Sequence, residues 1–112
     1  MRVAVPTSDG KNISKHVALS KFFYIYEDGK EVEKIENPLI ENLKESTVSL
    51  HTHEGRGLGA GRIIPSLIAQ KGVSVFLARE IGDGMRANMQ RVGIKCIETQ
   101  EKAIEQALAN VI

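Results

Sequence analysis

Tryptophan is missing from these 112 residues, and the aromatic side chains are three Phe and two Tyr. A core must therefore come mainly from Ile, Val and Leu. Cysteine occurs once, as Cys96, which excludes an intrachain disulfide and a structural zinc site built only from cysteines. Such sparing use suits a reducing compartment, so the cytoplasm is the expected location. An excess of charge of either sign is also missing. Fifteen Lys and Arg against fourteen Asp and Glu leave a net charge of +1, with no footprint for nucleic acid or an anionic membrane surface. No apolar run approaches the roughly 18 residues that span a bilayer. The opening Met1-Arg2-Val3-Ala4-Val5-Pro6 is too short, and punctuated too early, to read as a signal peptide. Neither membrane nor nucleic acid is therefore expected as a partner. Length and the absence of repeats point to a single domain over residues 1–112, long enough for its own core.

Two of the three histidines and four of the ten glycines gather in eleven residues, His51-Thr52-His53-Glu54-Gly55-Arg56-Gly57-Leu58-Gly59-Ala60-Gly61. Imidazoles are neutral ligands or proton carriers, and glycines let backbone N–H groups approach a bound group closely. A helix start just beyond would add unpaired N–H donors and partial positive charge. The combination reads as a place to hold something anionic.

Along the chain, Val3–Val5 reads as a short strand stopped by Pro6. Lys21–Glu27 and Lys30–Glu36 read as a hairpin turned at Asp28-Gly29, the second strand charged as an edge strand would be. Leu39–Ser46 reads as loop and Thr47–Leu50 as a brief extended piece. Ala60, Ile63, Ile64, Leu67 and Ile68 recur at helical spacing. Pro65 places the start of that helix near Gly61–Ile64 or distorts its beginning, and Gly72 closes it. Val73–Ala78 is a continuous apolar run, as in a strand buried on both faces. A second helix carries Met85, Met89 and Val92 inward and ends at Gly93, and Ile94–Glu98 is the last strand. Thr99 then caps a helix with Ala103, Ile104, Ala107, Leu108 and Val111 on one face. The order β, ββ hairpin, α-β-α-β-α predicts a mixed five-stranded sheet with helices on its faces and one antiparallel strand. Its ligand crevice belongs beyond the carboxyl ends of the parallel strands, where the loops after Pro6 and after Ala78 would meet.

The glycine run lacks the Gly-Lys-Ser/Thr of a phosphate-binding loop, and Gly57-x-Gly59-x-Gly61 is not a dinucleotide fingerprint. Capture of a polyanion by its N–H groups, with Arg56 and Arg62 adding charge, suits the same residues. His51 and His53 would share a face of an extended segment, yet supply only two of the three or four donors a metal needs. The plain alternative is a loop imidazole that caps backbone groups. His16 follows the turn after Pro6 and could stand near the crevice. Cys96 is first a small core residue and secondly a soft thiolate ligand. Asp9, Glu80 and Asp83 are the acids around the expected crevice, but no catalytic set is assembled and catalysis is not expected.

VAVPTSDG followed by ISKH, FFYIYEDGKEVEKIENP, HEGRGLGAG, GVSVFLAREIG and GIKCIE, in that order and closed by a capped helix, resemble the dinitrogenase iron-molybdenum cofactor biosynthesis family. That family includes NifX-like and NafY-like carriers. The resemblance implies a ribonuclease-H-like three-layer α/β/α fold that binds or transfers iron–sulfur or molybdenum–iron–sulfur clusters. It implies cluster donor or recipient proteins as partners. His16 matches the histidine after the first loop, where the family has His-Phe-Gly and this chain has His16-Val17-Ala18. His53 and the glycines after it match the second motif. The resulting expectation is a carrier whose metal ligands are His53 and His16, with His51 and Cys96 behind them. Gly55, Gly57, Gly59 and Gly61 would approach the cluster, with Arg56 and Arg62 in electrostatic support. A protein-interaction module of metal-enzyme assembly that binds no cluster and a small-anion sensor are the alternatives.

Overall fold

The computed structural model describes residues 1–38 and 60–111. Five strands, β1 (Arg2–Thr7), β2 (Phe22–Glu27), β3 (Lys30–Glu36), β4 (Val75–Ala78) and β5 (Lys95–Glu98), form one sheet in the order β3-β2-β1-β4-β5. Strands β1, β4 and β5 run parallel, and β2 is antiparallel to both β1 and β3. The single antiparallel strand is therefore β2, and the charged β3 lies at a sheet edge as its sequence predicts. Three helices are described after the hairpin: α1 (Ala60–Ala69), α2 (Asp83–Arg91) and α3 (Ile104–Val111).

Strict alternation in the strands builds the two core layers. Ala4, Phe23, Ile25, Phe76 and Ala78 meet Ile64 and Ile68 of α1 and Met85 and Met89 of α2. Val3, Val5, Tyr24, Tyr26, Val75 and Leu77 meet Ile104, Ala107 and Leu108 of α3 on the opposite face. All four residues of β4 are buried, since helices cover both of its sides. The result is the three-layer α/β/α arrangement, ribonuclease-H-like, with α1 and α2 on one face and α3 on the other.

The turns follow their residues. Asp28 and Gly29 both have positive φ, 52° and 84°, as a two-residue hairpin turn of the primed kind requires. After α1, the Gly72 N–H donates to the Ala69 carbonyl and the Val73 N–H to that of Ile68. Gly93 and Ile94 repeat the pattern onto Gln90 and Met89, so each of these helices ends in a Schellman motif at a left-handed glycine.

Pro6 and Pro65 depart from their expected places. Strand β1 continues through Pro6 to Thr7, because its last registered pair with β4 is Ala4–Phe76. Pro6 stands beyond that ladder, and its carbonyl accepts from the Ser14 N–H at 2.9 Å. In α1, Pro65 is the sixth residue and not part of the first turn. The missing N–H would have bonded the carbonyl of Gly61, four residues earlier. Asn88 of α2 takes that role, donating its Nδ2 to the Gly61 carbonyl at 2.7 Å.

Three further expectations are corrected. Ile63 of α1 and Val92, the C-cap of α2, are exposed. Thr99 does not cap α3, which starts five residues later at Ile104. Its Oγ1 accepts from the Glu101 N–H instead, and an Asn12–Ala103 bridge holds the intervening chain against the loop after β1.

Candidate functional site

The carboxyl ends of β1, β4 and β5 lie along one edge of the sheet, and the loops that leave them meet there. The loop after β1 is shaped by Thr7 and Asp9. The Thr7 hydroxyl donates to the Asn12 carbonyl at 2.6 Å and accepts from the Gly10 N–H at 2.9 Å. Asp9 Oδ1 accepts from the backbone N–H groups of Lys11 and Asn12, each at 2.8 Å, and Oδ2 from Asn12 Nδ2 at 2.9 Å. These backbone donors, first that of Asn12, hold the Asp9 carboxyl well below the usual carboxylate range. Gly10 has φ +79°, and a Cβ there would fall 2.7 Å from the Tyr24 hydroxyl. Only glycine lets the loop lie this close to the sheet. Backbone bonds from Ile13 N–H to the Lys102 carbonyl and from Ile104 N–H to that of Lys11 tie the loop to the start of α3.

His16 follows that loop, immediately before a 3-10 turn at Val17–Leu19. Its Nδ1 lies 3.9 Å from Glu80 Oε2 in the loop after β4, with both side chains about 60% exposed. This is proximity in water rather than a formed hydrogen bond. It does bring the loops after Pro6 and after Ala78 together, as the sequence predicts. Beside the pair opens a cleft of about 300 Å³ lined by Lys15, Arg79, Glu80, Thr99 and Gln100, one loop from each of the three parallel strands.

Glu98, the last residue of β5, fixes the floor of the β4–α2 loop. Its Oε2 accepts from the Ile81 N–H at 3.0 Å, and its Oε1 pairs with Arg86 at 3.2 Å. With Ile81 buried beneath it, the stretch bearing Arg79 and Glu80 is anchored at its far side.

The His-Gly run is only partly within reach of this geometry. His51, His53, Gly55, Arg56, Gly57 and Gly59 lie outside the described residues. The described chain on either side of residues 39–59 stands at this same edge. Asn37, buried at the end of β3, donates its Nδ2 to the carbonyls of Ala18 and Ser20, at 3.1 and 2.7 Å, beside the turn that follows His16. The chain rejoins at α1, where Gly61 packs on the backbone of Gly84 and Met85 at the start of α2. A Cβ on Gly61 would meet Met85 N at 3.6 Å, an ordinary contact. Arg62 is exposed.

Cys96 sits apart from these groups, within β5 opposite Phe76 and against the α1–α2 core layer. Burial pushes its thiol up, outweighing the opposing influence of Arg86. That environment keeps a thiol protonated and suits the core role. Among the described residues no three His, Cys, Asp or Glu side chains stand close enough to hold a metal ion. Of the acids around the crevice, Asp9 has both oxygens engaged by its own loop.

Lys15, Arg79, Thr99 and Gln100 were not singled out by sequence reasoning, although two pairs carry a signal. Arg79-Glu80 and Thr99-Gln100 directly follow the last residues of β4 and β5, where parallel sheets place their ligand contacts. Lys15 had no comparable mark, since its place depends on the folded loop after β1. No helix among the described residues is long and apolar enough to cross a membrane.

The fold recurs in known structures. The chain is similar to PH0822 in its crystal structure, with 24% identity over 99% of this chain and 89% of that one and a TM-score of 0.69. It is similar to the apo form of the orange protein from Desulfovibrio gigas, with 18% identity, coverage of 98% and 85%, and a TM-score of 0.71. The Thermotoga protein TM1290, placed in the DUF35 family, gives 21% identity, coverage of 98% and 85%, and a TM-score of 0.70. These likenesses show the fold. A search among curated proteins finds no match. The pattern described as dinitrogenase iron-molybdenum cofactor matches residues 1–112, from the first strand to the end of the last helix, and the chain belongs to that family.

Proposed function

We propose that this chain is a carrier, without catalysis of its own, for an iron–sulfur or molybdenum–iron–sulfur type cluster in metal-cofactor assembly or trafficking. The cluster is cargo, accepted from one protein and passed to another, in the cytoplasm. His53 and His16 supply ligands or orient them. Gly55, Gly57, Gly59 and Gly61 let the backbone come close to the sulfides, and Arg56 and Arg62 offset their negative charge. Family membership supports a cofactor-related role.

The observation that carries the reading is the shared edge. His16 stands beside the turn to which Asn37 ties the departing chain, and the returning chain begins at the same edge with α1. The first motif and the chain on either side of residues 39–59 thus meet at one end of the sheet, which supports the reading. His16 is a donor of the right kind there but alone is too few, so on this reading the His51-x-His53 motif completes the ligand set.

Anaerobic reconstitution with iron, sulfide and molybdate, followed by metal analysis and visible absorption, tests this reading. A carrier acquires a charge-transfer spectrum and stoichiometric metal. An interaction module of metal-enzyme assembly acquires neither, and shows itself instead by recovering a protein partner in a pull-down.

A further inference from the structure

The three-loop cleft carries cations that the rest of the molecule does not neutralise. Among the basic side chains near the sheet, Arg2 bonds Glu27, Lys71 bonds Glu33, and Arg86 bonds Glu98. Lys15 and Arg79 have no ion-pair or hydrogen-bond partner among the described residues, yet they line the same cleft. Thr99 and Gln100 complete the wall with polar groups. The Thr99 hydroxyl already accepts from the Glu101 N–H, which leaves its own proton free to donate. Gln100 adds an amide. Among the described residues Glu80 is the one carboxylate in the lining, and His16 Nδ1 lies 3.9 Å from it.

We infer that this cleft is a binding site for a small dianionic oxyanion of the phosphate or sulfate class, distinct from the histidine–glycine site proposed for the cluster. Two cations against one carboxylate leave an excess positive charge. The guanidinium of Arg79 presents a planar fork suited to two oxygens of one anion, and the ammonium of Lys15 acts as a point charge on a third. The hydroxyl of Thr99 and the amide of Gln100 supply neutral donors. The backbone frame is fixed from below: Thr99 N–H bonds the Ala78 carbonyl at 2.9 Å, and Glu98 holds Ile81. A cleft of about 300 Å³ exceeds a bare oxyanion, so the same chemistry accepts either the free ion with water or the terminal group of a small organic phosphate.

The test is a titration of the metal-free full chain with inorganic phosphate, sulfate and glycerol 3-phosphate. Amide chemical shifts are followed by NMR at constant ionic strength, with sodium chloride as the control. Saturable shifts centred on Arg79, Glu80, Thr99 and Gln100, with a dissociation constant on the order of 1 mM, are expected. Tighter binding of glycerol 3-phosphate than of inorganic phosphate assigns the spare volume to an organic portion, and the reverse assigns the site to the free ion. Either order supports the site. Arg79→Gln and Lys15→Gln should each weaken binding by about tenfold, the change expected when a charge-assisted contact is lost. Glu80→Gln should strengthen it several-fold by removing the carboxylate, a gain that a merely structural role for Glu80 would not produce. Shifts equal to those with chloride, or unchanged affinity in all three variants, would overturn the inference. Because no metal is present, its failure leaves the cluster reading untouched.

Discussion

Asp9 is a surface carboxylate with a structural duty. Three hydrogen-bond donors converge on it, and two of them are the backbone N–H groups that set the turn after β1. Its folded-state pKa is depressed below the ordinary 3.8, so its contribution is fully present above that value. The contribution is lost as pH falls from about 4 through the folded value, because the unfolded chain takes up the proton first. In urea denaturation between pH 5 and pH 2, Asp9→Asn should show a shallower loss of stability than the unaltered protein. Parallel acid limbs would contradict the assignment. Asn88 has a different duty, serving the carbonyl that Pro65 leaves without its helical donor. Asn88→Ala should cost about 1–2 kcal/mol in denaturant unfolding, the usual penalty for a partly buried acceptor without its partner. No change in stability would mean that water replaces the amide at no cost. The duty of Asp9 is local, while that of Asn88 does not show in spacing, for it lies 27 residues from its acceptor.

At the scale of elements, local chemistry and long-range contacts divide the outcome. The Asp28-Gly29 hairpin, the glycine-ended helices and the buried β4 were legible because their causes are local: positive φ at fixed positions and an unbroken apolar run. Pro6 and Thr99 misled for the opposite reason. Ser14 returns to satisfy the carbonyl of Pro6, and the bridge from Asn12 to Ala103 delays α3. Val92 keeps helical spacing with Met85 and Met89 but falls where α2 turns out to solvent at its C-cap. Glycines separate in the same way. Gly72→Ala makes only an ordinary contact, 3.8 Å from Arg2 Cδ, but must adopt φ +76°, and should cost about 1 kcal/mol in thermal or chemical unfolding. Gly61 carries no such φ, and its added Cβ makes only ordinary contacts with α2. Gly61→Ala should therefore leave stability within about 0.5 kcal/mol or raise it through better helix propensity. A large loss at Gly61, or none at Gly72, would overturn this ranking. The tolerance also makes Gly61→Ala a usable probe of backbone approach to cargo, since a change in uptake would not reflect unfolding.

For the molecule as a whole, topology decides what can be assembled. Three parallel strands end at one edge, and their loops bring His16 and Lys15 beside Arg79, Glu80, Thr99 and Gln100. The meeting of the loops after Pro6 and Ala78 was readable from element order, since right-handed parallel units leave few alternatives. The cationic lining was not, because it joins residues more than sixty positions apart in the chain. The described chain on either side of residues 39–59 stands at that edge, and the family match spans residues 1–112. The central claim is that His16 and His53 hold a metal–sulfur cluster together. It is tested most directly by anaerobic reconstitution of the unaltered protein and the His16→Ala, His53→Ala double variant side by side, reading bound metal and visible absorption. The account predicts a coloured, metal-loaded protein in the first case, and loss of both signals in a folded double variant. Equal cluster uptake by the two proteins, or none by the unaltered chain, would contradict it.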